Sequence, residues 1–324
     1  MPNQQVLRRY SANINWLQTA RLFVVKYKGE VSILALPCFF CSHKEVVTMP
    51  YITLNNAHIY YEDSAPNESR FEPQYRKPVM LFAHGLLWGT PLFDKQVAYF
   101  QSKYRCIAFD FRGQGQSEVT KDGYDMDSLA DDAIALLEAL DIDKCHFIGL
   151  SMGGFVGQRV AIRRPDLLKS LILLETSADA EDPKKAVSYN KLMRAISWLG
   201  IRRVSKKVMP IMFGKTFLSD RTRREEYQLW LSHLNSNSKK GAIHATRGVI
   251  QREEVLSKLG DITTPTLILV GDEDVATPYD KAQRIHFAIQ GSKLAVIQRA
   301  GHTSTVEEPE QVNHNIEWFL SLLD

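Results

Sequence analysis

The chain has no apolar run long enough to cross a membrane as a helix. A spanning helix needs about 20 consecutive apolar residues, whereas the most apolar segment, 31–41, is short and is interrupted by Pro37. This segment also begins too far from the N-terminus for an ordinary secretory signal. We therefore expect a cytoplasmic protein without a membrane span.

Cysteine is scarce, with four residues in 324, and nothing in the sequence requires an oxidising compartment. Cys106 and Cys145 fall in predicted buried strands, where cysteine usually behaves as a small apolar residue. Cys38 and Cys41, followed by His43, weakly resemble half of a metal site, but no second pair of ligands accompanies them. We expect no metal site and no cofactor.

A strong net charge of one sign is also missing, because the chain contains 40 basic and 37 acidic residues. The excess lies in residues 1–48, which contain six Lys or Arg and two Asp or Glu, while residues 49–324 contain 34 and 35. The larger part therefore lacks the basic footprint of a nucleic-acid-binding protein. We expect no nucleic-acid partner, and the sequence does not indicate an oligomeric state.

Residues 1–48 lack the packing pattern of the remainder, which begins clearly at Met49. Two short strands are predicted at 51–54 and 58–61, joined by a turn at Asn55-Asn56. The first 48 residues are interpreted as a loosely packed extension, or as a consequence of the choice between Met1 and Met49 as start. A chain beginning at Met49 is then expected to fold and to keep its activity.

From 79 onward, predicted strands and helices alternate, and the strands are short and continuously apolar. Such strands are typical of a parallel sheet covered by helices on both faces. They are predicted at 79–83, 105–110, 145–149, 171–175, 266–270 and 293–297, and the helices between them at 92–101, 127–140, 154–163, 280–289 and 309–323. The fold class is therefore α/β with a mostly parallel central sheet.

The alternation stops between 178 and 262, where only helices are predicted. Helical segments are predicted at 191–199, 204–212, 221–233 and 242–252. An all-helical segment inserted into a parallel sheet indicates a cap. The domain prediction is a core of 49–177 and 263–324 with a helical cap of 178–262.

One pentapeptide carries the strongest indication of chemistry. Gly149-Leu150-Ser151-Met152-Gly153 joins a predicted strand to a predicted helix, and a serine at such a sharp turn is held exposed in a strained backbone conformation. Serine is a weak nucleophile until a base takes its proton, and that base needs an orienting acid. Ser151 therefore predicts a histidine and a carboxylate at the ends of later strands.

Both partners occur in the expected places. Asp274 follows the strand 266–270, and His302 follows the strand 293–297. The order serine, acid, histidine is the chain order of one known type of catalytic triad. Asp272 or Glu273 could supply the acid instead, and Asp274 would then only cap a turn.

An acyl-transfer site also needs two N–H donors for the developing oxyanion. We expect them on the backbones of Met152, directly after the nucleophile, and Leu86, in the loop after the strand 79–83. Leu87 and Trp88 follow in the same loop and are predicted to bind the acyl group. His84 precedes the strand that carries the serine, and we expect it to hold the loop by hydrogen bonds.

The combined motifs are similar to those of the α/β-hydrolase superfamily over 49–324. They are His84-Gly85, Asp110-Phe111-Arg112-Gly113-Gln114-Gly115-Gln116-Ser117, Gly149-Leu150-Ser151-Met152-Gly153-Gly154, Gly271-Asp272-Glu273-Asp274 and Gly301-His302. The sequence most resembles the branch of 3-oxoadipate enol-lactonases, carboxylesterases and perhydrolase-like proteins. The resemblance implies a Ser151–His302–Asp274 triad, no metal and an acyl-enzyme intermediate. It also implies a purely structural turn at 110–113.

Several functions remain open on this fold. Epoxide hydrolases and haloalkane dehalogenases carry aspartate at the apex, so Ser151 argues against both, and Leu150 weakens the case for a carbon–carbon bond hydrolase. We expect a serine hydrolase of a small-molecule carboxylic ester or lactone. The alternatives are an acyltransferase, thioesterase or perhydrolase using the same acyl-enzyme, and a receptor-like protein with slow turnover.

The predicted cap contributes large apolar side chains and basic pairs. The large side chains are more often internal packing than a substrate wall, so none is assigned to the site; they are Trp198, Met209, Met212, Phe213, Phe217, Tyr227 and Trp230. An apolar pocket would favour a neutral substrate. The pairs Arg202-Arg203 and Lys206-Lys207 are typical of a solvated face, although they would also suit a carboxylate-bearing substrate.

Overall fold

The computed structural model describes residues 51–67 and 76–323, and from the N-terminal part it describes two strands. These strands, β1 (Ala20–Tyr27) and β2 (Glu30–Pro37), pair with each other antiparallel. No strand was predicted there. The metal half-site suggested by Cys38, Cys41 and His43 lies outside the described residues. The chain divides into two compact units, Met1–Met49 and Pro50–Asp324.

The larger unit contains a sheet of eight strands. They are β3 (Tyr51–Leu54), β4 (Ala57–Asp63), β5 (Val79–Ala83), β6 (Arg105–Phe109), β7 (Cys145–Leu150), β8 (Leu168–Leu174), β9 (Thr266–Gly271) and β10 (Lys293–Ile297). Their order in the sheet is β10-β9-β8-β7-β5-β6-β4-β3. β3 pairs antiparallel with β4, and β4 with β6, while the remaining neighbours pair parallel. The predicted mostly parallel α/β architecture is confirmed.

The sheet is buried on both faces. Successive side chains of a strand point to opposite sides, so one strand contributes to an apolar cluster on each face. In β5, Leu81 joins one apolar cluster, while Met80 and Phe82 join the other. Cys106 and Cys145 are buried and free, as expected for small apolar residues. The helices outside the segment between β8 and β9 are α1 (Asp94–Phe100), α2 (Met126–Ala139), α3 (Met152–Arg163), α9 (Tyr279–Ala288), α10 (Ser304–Glu307) and α11 (Pro309–Leu320).

The segment between β8 and β9 is helical, and its described residues contain no strand. Its helices are α4 (Pro183–Leu199), α5 (Ile201–Met212), α6 (Lys215–Ser219), α7 (Arg224–Ser236) and α8 (Lys239–Ile250). We call residues 178–262 the insert. α4 begins at Pro183 rather than at 191, because the Asp182 side chain accepts the Lys184 N–H and proline occupies the first helical position.

Two short helices, α6 and α10, were not predicted, since helices of five and four residues carry no measurable periodicity. Within the described residues, no helix combines the length and the apolar character required to cross a bilayer. The carboxyl ends of β5, β7, β9 and β10 lie at one edge of the sheet, which is where the predicted site residues follow in the chain.

Candidate active site

Ser151 lies at the turn between β7 and α3 with φ 53° and ψ −110°. A positive φ is strained for a residue with a side chain, and such strain persists where the surroundings enforce it. A Cβ atom on Gly149 would collide with the Gly153 carbonyl, and one on Gly153 would collide with the Ala83 carbonyl. The two glycines of the pentapeptide are therefore required by the close approach of backbones around the serine.

The three residues predicted as a triad form one hydrogen-bonded chain. The Ser151 Oγ lies 2.9 Å from His302 Nε2, and His302 Nδ1 lies 2.8 Å from Asp274 Oδ2. All three side chains are buried. Because an ionised carboxylate can only accept, Nδ1 carries the proton and Nε2 is free to accept one from the serine hydroxyl.

Four donors surround the Asp274 carboxylate. Oδ1 accepts the N–H groups of Ala276 (2.7 Å) and Thr277 (3.1 Å), and Oδ2 accepts the Thr277 hydroxyl (2.7 Å) in addition to His302. Burial acts to raise the pKa of Asp274, but His302 and Thr277 together outweigh it and hold that pKa below the usual value of 3.8. The carboxylate stays ionised at neutral pH and can stabilise a protonated His302.

The neighbouring acids bond elsewhere. Asp272 Oδ1 accepts the backbone N–H groups of Arg299 (2.7 Å) and Ala300 (3.3 Å). Glu273 accepts the N–H (2.8 Å) and the hydroxyl (2.6 Å) of Thr216 in the insert. Of the three acids left open by the sequence, the geometry therefore brings Asp274 to His302.

Glu307 holds the loop that carries His302, and sequence reasoning missed it. Its Oε1 accepts the N–H groups of Gly301 (3.0 Å) and Thr303 (3.2 Å) and the Thr303 hydroxyl (3.2 Å), while Oε2 accepts the Gly214 N–H (2.7 Å) from the insert. Burial raises the pKa of Glu307 to about 7 against the opposing effect of these donors. This carboxyl therefore titrates near neutral pH while it supports the histidine loop.

The loop expected to supply one oxyanion donor is fixed by Gln114, a second residue that sequence reasoning missed. The Leu87 N–H donates to Gln114 Oε1 at 2.7 Å, and Leu87 has a left-handed backbone with φ 68°. Among the described residues, the Leu86 N–H donates to no protein acceptor. Met152 is the first residue of α3, so its N–H has no acceptor within the helix. Both predicted donors are thus available.

His84 has the geometry of a supporting residue. Its Nε2 accepts the Phe111 N–H at 3.0 Å, so Nδ1 carries the proton and donates to the Gly85 carbonyl at 2.7 Å. Burial lowers the pKa of His84 to about 4. The neutral ring therefore ties the Gly85 turn to the loop after β6.

A cavity opens beside Ser151 and His302, and Leu86, Leu87 and Trp88 line it. Its apolar lining residues include Phe155, Leu192, Val208, Ile211, Met212 and Val249. Its polar lining residues include Glu181, Lys185, Tyr189, Arg252 and Lys281. The lining is therefore of mixed character rather than purely apolar.

The polar lining residues include a buried ion pair and a cation that has no acid partner among the described residues. Arg252 bonds Glu181 at 2.7 Å and lies over the Phe155 ring. The Lys185 ammonium donates to the Ala276 carbonyl at 2.6 Å and forms no ion pair within the described residues. This lysine ties α4 to the loop that follows Asp274.

The large side chains of the insert have different positions. Phe213 and Trp230 pack around Trp88, and Phe217 stacks on Phe213, so these rings are internal. Met212 lines the cavity. Trp198 is 88% exposed and therefore forms no cavity wall.

Glu175 is fully buried at the end of β8, the strand between those that lead to Ser151 and Asp274. Neither carboxyl oxygen makes a hydrogen bond of good geometry among the described residues, and the Ser304 hydroxyl and the Gly271 N–H interact with it only weakly. Burial, and then the negative charge of Asp274, raise the pKa of Glu175 well above its usual value. A buried carboxyl with a raised pKa therefore lies beneath the site, and nothing in the motif pattern predicted it.

No group of three or more metal-ligating side chains occurs in the part of the chain that the structure describes. The site residues predicted from the sequence are instead hydrogen-bond donors and acceptors arranged around the Ser151 hydroxyl. Thr277, Gln114 and Glu307 are additional partners of these residues. The signal for Thr277 was present in its spacing of three residues from Asp274, whereas Gln114 and Glu307 act through loops that only the fold brings together.

Comparison with known proteins gives one family and several relatives. The family model described as alpha/beta hydrolase fold matches residues 78–309. The 3-oxoadipate enol-lactonase 2 of Acinetobacter baylyi is 31% identical over 257 residues, which cover 79% of this chain and 93% of the relative.

Solved structures with the same fold include two enzymes. The enol-lactonase of Burkholderia xenovorans superposes with a TM-score of 0.76 at 22% identity, covering 84% of this chain and 100% of the other. A thermophilic esterase of Thermogutta terrifontis superposes with a TM-score of 0.75 at 26% identity, covering 84% and 98%.

Proposed function

The chain belongs to the alpha/beta hydrolase fold family, and from this premise we propose that it is a serine hydrolase of a small carboxylic ester or lactone. The observation that carries the proposal is the continuous chain from Ser151 Oγ through His302 to Asp274 at the wall of a cavity. The names of the relatives, an enol-lactonase and an esterase, fit the same chemistry.

In the acylation step, His302 Nε2 takes the hydroxyl proton as Ser151 Oγ attacks the substrate carbonyl. The charge that develops on the carbonyl oxygen is stabilised by the backbone N–H groups of Leu86 and Met152. Asp274 stabilises the resulting imidazolium through the bond at Nδ1. His302 then gives its proton to the leaving alcohol oxygen, and Ser151 remains acylated.

In the deacylation step, a water molecule occupies the place of the leaving alcohol. His302 deprotonates this water as it attacks the acyl carbon, and the second tetrahedral intermediate uses the same two N–H donors. Collapse of that intermediate returns the proton to Ser151 and releases the acid. For a lactone, the acylation step opens the ring and leaves the alcohol attached to the acyl group, and the deacylation step then releases alcohol and acid as one product.

We assign the acyl group to the side of the cavity formed by Leu87 and Trp88, which adjoins the oxyanion loop. The insert, residues 178–262, acts as the cap in this proposal, because α4 and α5 contribute lining residues to the cavity that Ser151 also lines. The Asn237 side-chain amide donates to the Leu87 carbonyl at 2.8 Å, so the cap also supports the oxyanion loop. Substrate specificity is therefore expected to depend on the insert.

The decisive variant is Ser151→Ala, which is expected to lower kcat for p-nitrophenyl acetate at least about a thousandfold. Ser177→Ala removes another hydroxyl from the cavity lining and provides the matched control, since Ser177 bonds Asp179 rather than His302. A fluorophosphonate probe should label the wild-type protein and the Ser177 variant but not the Ser151 variant. Undiminished turnover in Ser151→Ala would reject the proposal.

A further inference from the structure

The outer surface of α4 carries a row of exposed side chains at helical spacing. Val187, Lys191, Arg194 and Trp198 all face solvent, at positions i, i+4, i+7 and i+11 of one helix. Their alignment produces a stripe with an apolar residue at each end and two cations between them.

α5 continues this surface. The side chains on its apolar face are buried, among them Val204, Val208 and Met209. The exposed side chains on the opposite side are Arg202, Arg203, Lys206 and Lys207. We call the exposed residues of both helices the basic face; they are Val187, Lys191, Arg194, Trp198, Leu199, Arg202, Arg203, Lys206 and Lys207.

The charge of this region is one-sided. Residues 183–219 contain nine Lys or Arg and no Asp or Glu, although residues 49–324 as a whole carry one more acid than base. None of the six cations on the basic face forms an ion pair within the described residues. The positive charge is therefore uncompensated by the described residues and is available to an anionic partner.

Two large apolar side chains of the same surface are exposed to solvent. Trp198 is 88% exposed and Leu199 is 52% exposed, and both precede Gly200 at the junction of α4 and α5. A large aromatic and a leucine at a corner, next to unpaired cations, match the composition of surfaces that enter the headgroup region of a bilayer.

We propose that the basic face docks on the surface of an anionic phospholipid bilayer, with Trp198 and Leu199 entering the interfacial layer. The cations would contact lipid phosphates and acidic headgroups, and each Lys or Arg near such a surface adds attraction. A polynucleotide would also attract the cations, but it gives no role to Leu199 or Val187.

The inner surfaces of the same two helices line the cavity. Lys185, Tyr189 and Leu192 of α4 and Val208 and Met212 of α5 contribute to it. Docking would therefore hold the cavity close to a layer in which apolar esters accumulate. This inference concerns binding and stands apart from the reaction, since it requires no turnover.

Vesicle co-sedimentation of the full chain tests the inference. The protein is mixed with two kinds of vesicle: neutral vesicles of phosphatidylcholine alone, and anionic mixed vesicles that also contain phosphatidylserine. The basic face is altered by Trp198→Ser and by the pair Arg202→Glu and Arg203→Glu. The control pair is Lys144→Glu and Lys169→Glu, which reverses two exposed charges at the amino ends of β7 and β8, the opposite edge of the sheet.

The wild-type protein is expected to pellet with the mixed vesicles and to stay in the supernatant when only neutral vesicles are present. The Arg202/Arg203 pair should weaken binding about thirtyfold or more, given about fivefold per lost charge, and Trp198→Ser should also weaken it. The control pair and Ser151→Ala should bind like the wild type. Turnover of p-nitrophenyl acetate in solution should remain unchanged in the Trp198 and Arg202/Arg203 variants, which shows that they fold.

Three results would overturn the proposal. The wild type fails to co-sediment with the mixed vesicles, or the control pair weakens binding as much as the Arg202/Arg203 pair does. The third result is that Trp198→Ser binds the mixed vesicles as the wild type does, which would show that the basic face binds polyanions in general rather than a bilayer. A Ser151→Ala variant that loses turnover and still binds vesicles separates this inference from the proposed hydrolase function.

Discussion

The Thr277 hydroxyl donates to the same Asp274 oxygen that accepts from His302. The two donors hold Oδ2 at 2.7 and 2.8 Å, and the Thr277 Oγ1 also lies 3.3 Å from His302 Nδ1. The hydroxyl therefore positions the acid against the histidine without touching the nucleophile.

Thr277→Val is expected to lower kcat/KM about tenfold, because a hydrogen bond to a charged group contributes about 1.5–3 kcal/mol. Losing this donor raises the pKa of Asp274 toward its ordinary value, so the loss of activity should increase as the pH falls. A pH profile of kcat/KM measures both effects. Thr277→Ser keeps the hydroxyl and should follow the wild-type profile; a Val variant with the wild-type profile would contradict the positioning role.

The choice among the three acids is tested by isosteric amides. Asp274→Asn is expected to lower kcat about a thousandfold to ten-thousandfold, since the amide cannot hold His302 in the required tautomer. Asp272→Asn should reduce kcat only a few-fold, because its oxygen can still accept the Arg299 N–H. Equal losses in the two variants would show that Asp274 is not the orienting acid.

Gln114→Leu is expected to lower kcat about tenfold with little change in KM. The variant removes the acceptor of the Leu87 N–H, which loosens the loop that presents the Leu86 donor. That donor acts on charge that appears only in the transition state, so substrate binding is largely spared. Gln116→Leu, at an exposed position in the same loop, is the control; a KM effect without a kcat effect would count against this assignment.

The buried Glu307 should make stability depend on pH. Its pKa is raised from 4.5 to about 7, so the folded state binds a proton that the unfolded state releases. The stabilisation is complete below about pH 4.5 and is lost as the pH rises to about 7, with an upper size of about 3 kcal/mol. Above pH 7 this contribution stays level.

Glu307→Gln cannot ionise, so its unfolding free energy relative to the wild type should improve as the pH is raised from 5 to 8. Urea unfolding at several pH values gives this difference directly. Glu310→Gln, an exposed change in α11, serves as the charge-matched control. A constant difference between Glu307→Gln and the wild type over this range would exclude a raised pKa.

The sequence predicts the principal site residues because they follow the ends of successive strands. Gly149 and Gly153 mark the turn at Ser151, and the positions of Asp274 and His302 follow from the parallel sheet. The alternation of short apolar strands and helices likewise predicts the sheet. These features are local or follow from one topological rule, so a single sequence is enough to find them.

The supporting residues depend on contacts between distant loops. Gln114 reaches Leu87 across 27 positions, and Glu307 reaches Gly214 across 93. Glu175 falls at the end of a predicted strand, and only the structure reveals a fully buried carboxyl without a well-formed hydrogen bond. The start of α4 is a different case, since the Asp182-Pro183 signal was present and the weak periodicity of the following residues obscured it.

Glu273 and Glu307, which support the loops of Asp274 and His302, have a consequence for protein engineering. Glu273 bonds Thr216 and Glu307 bonds Gly214, so the N-terminal end of α6 is held both by the loop of Asp274 and by the glutamate that supports the loop of His302. An exchange of the insert with that of a relative would cut both attachments. A chimera that transplants substrate preference must therefore carry matching partners for these two carboxylates, or it will acquire a new pocket above a misaligned triad.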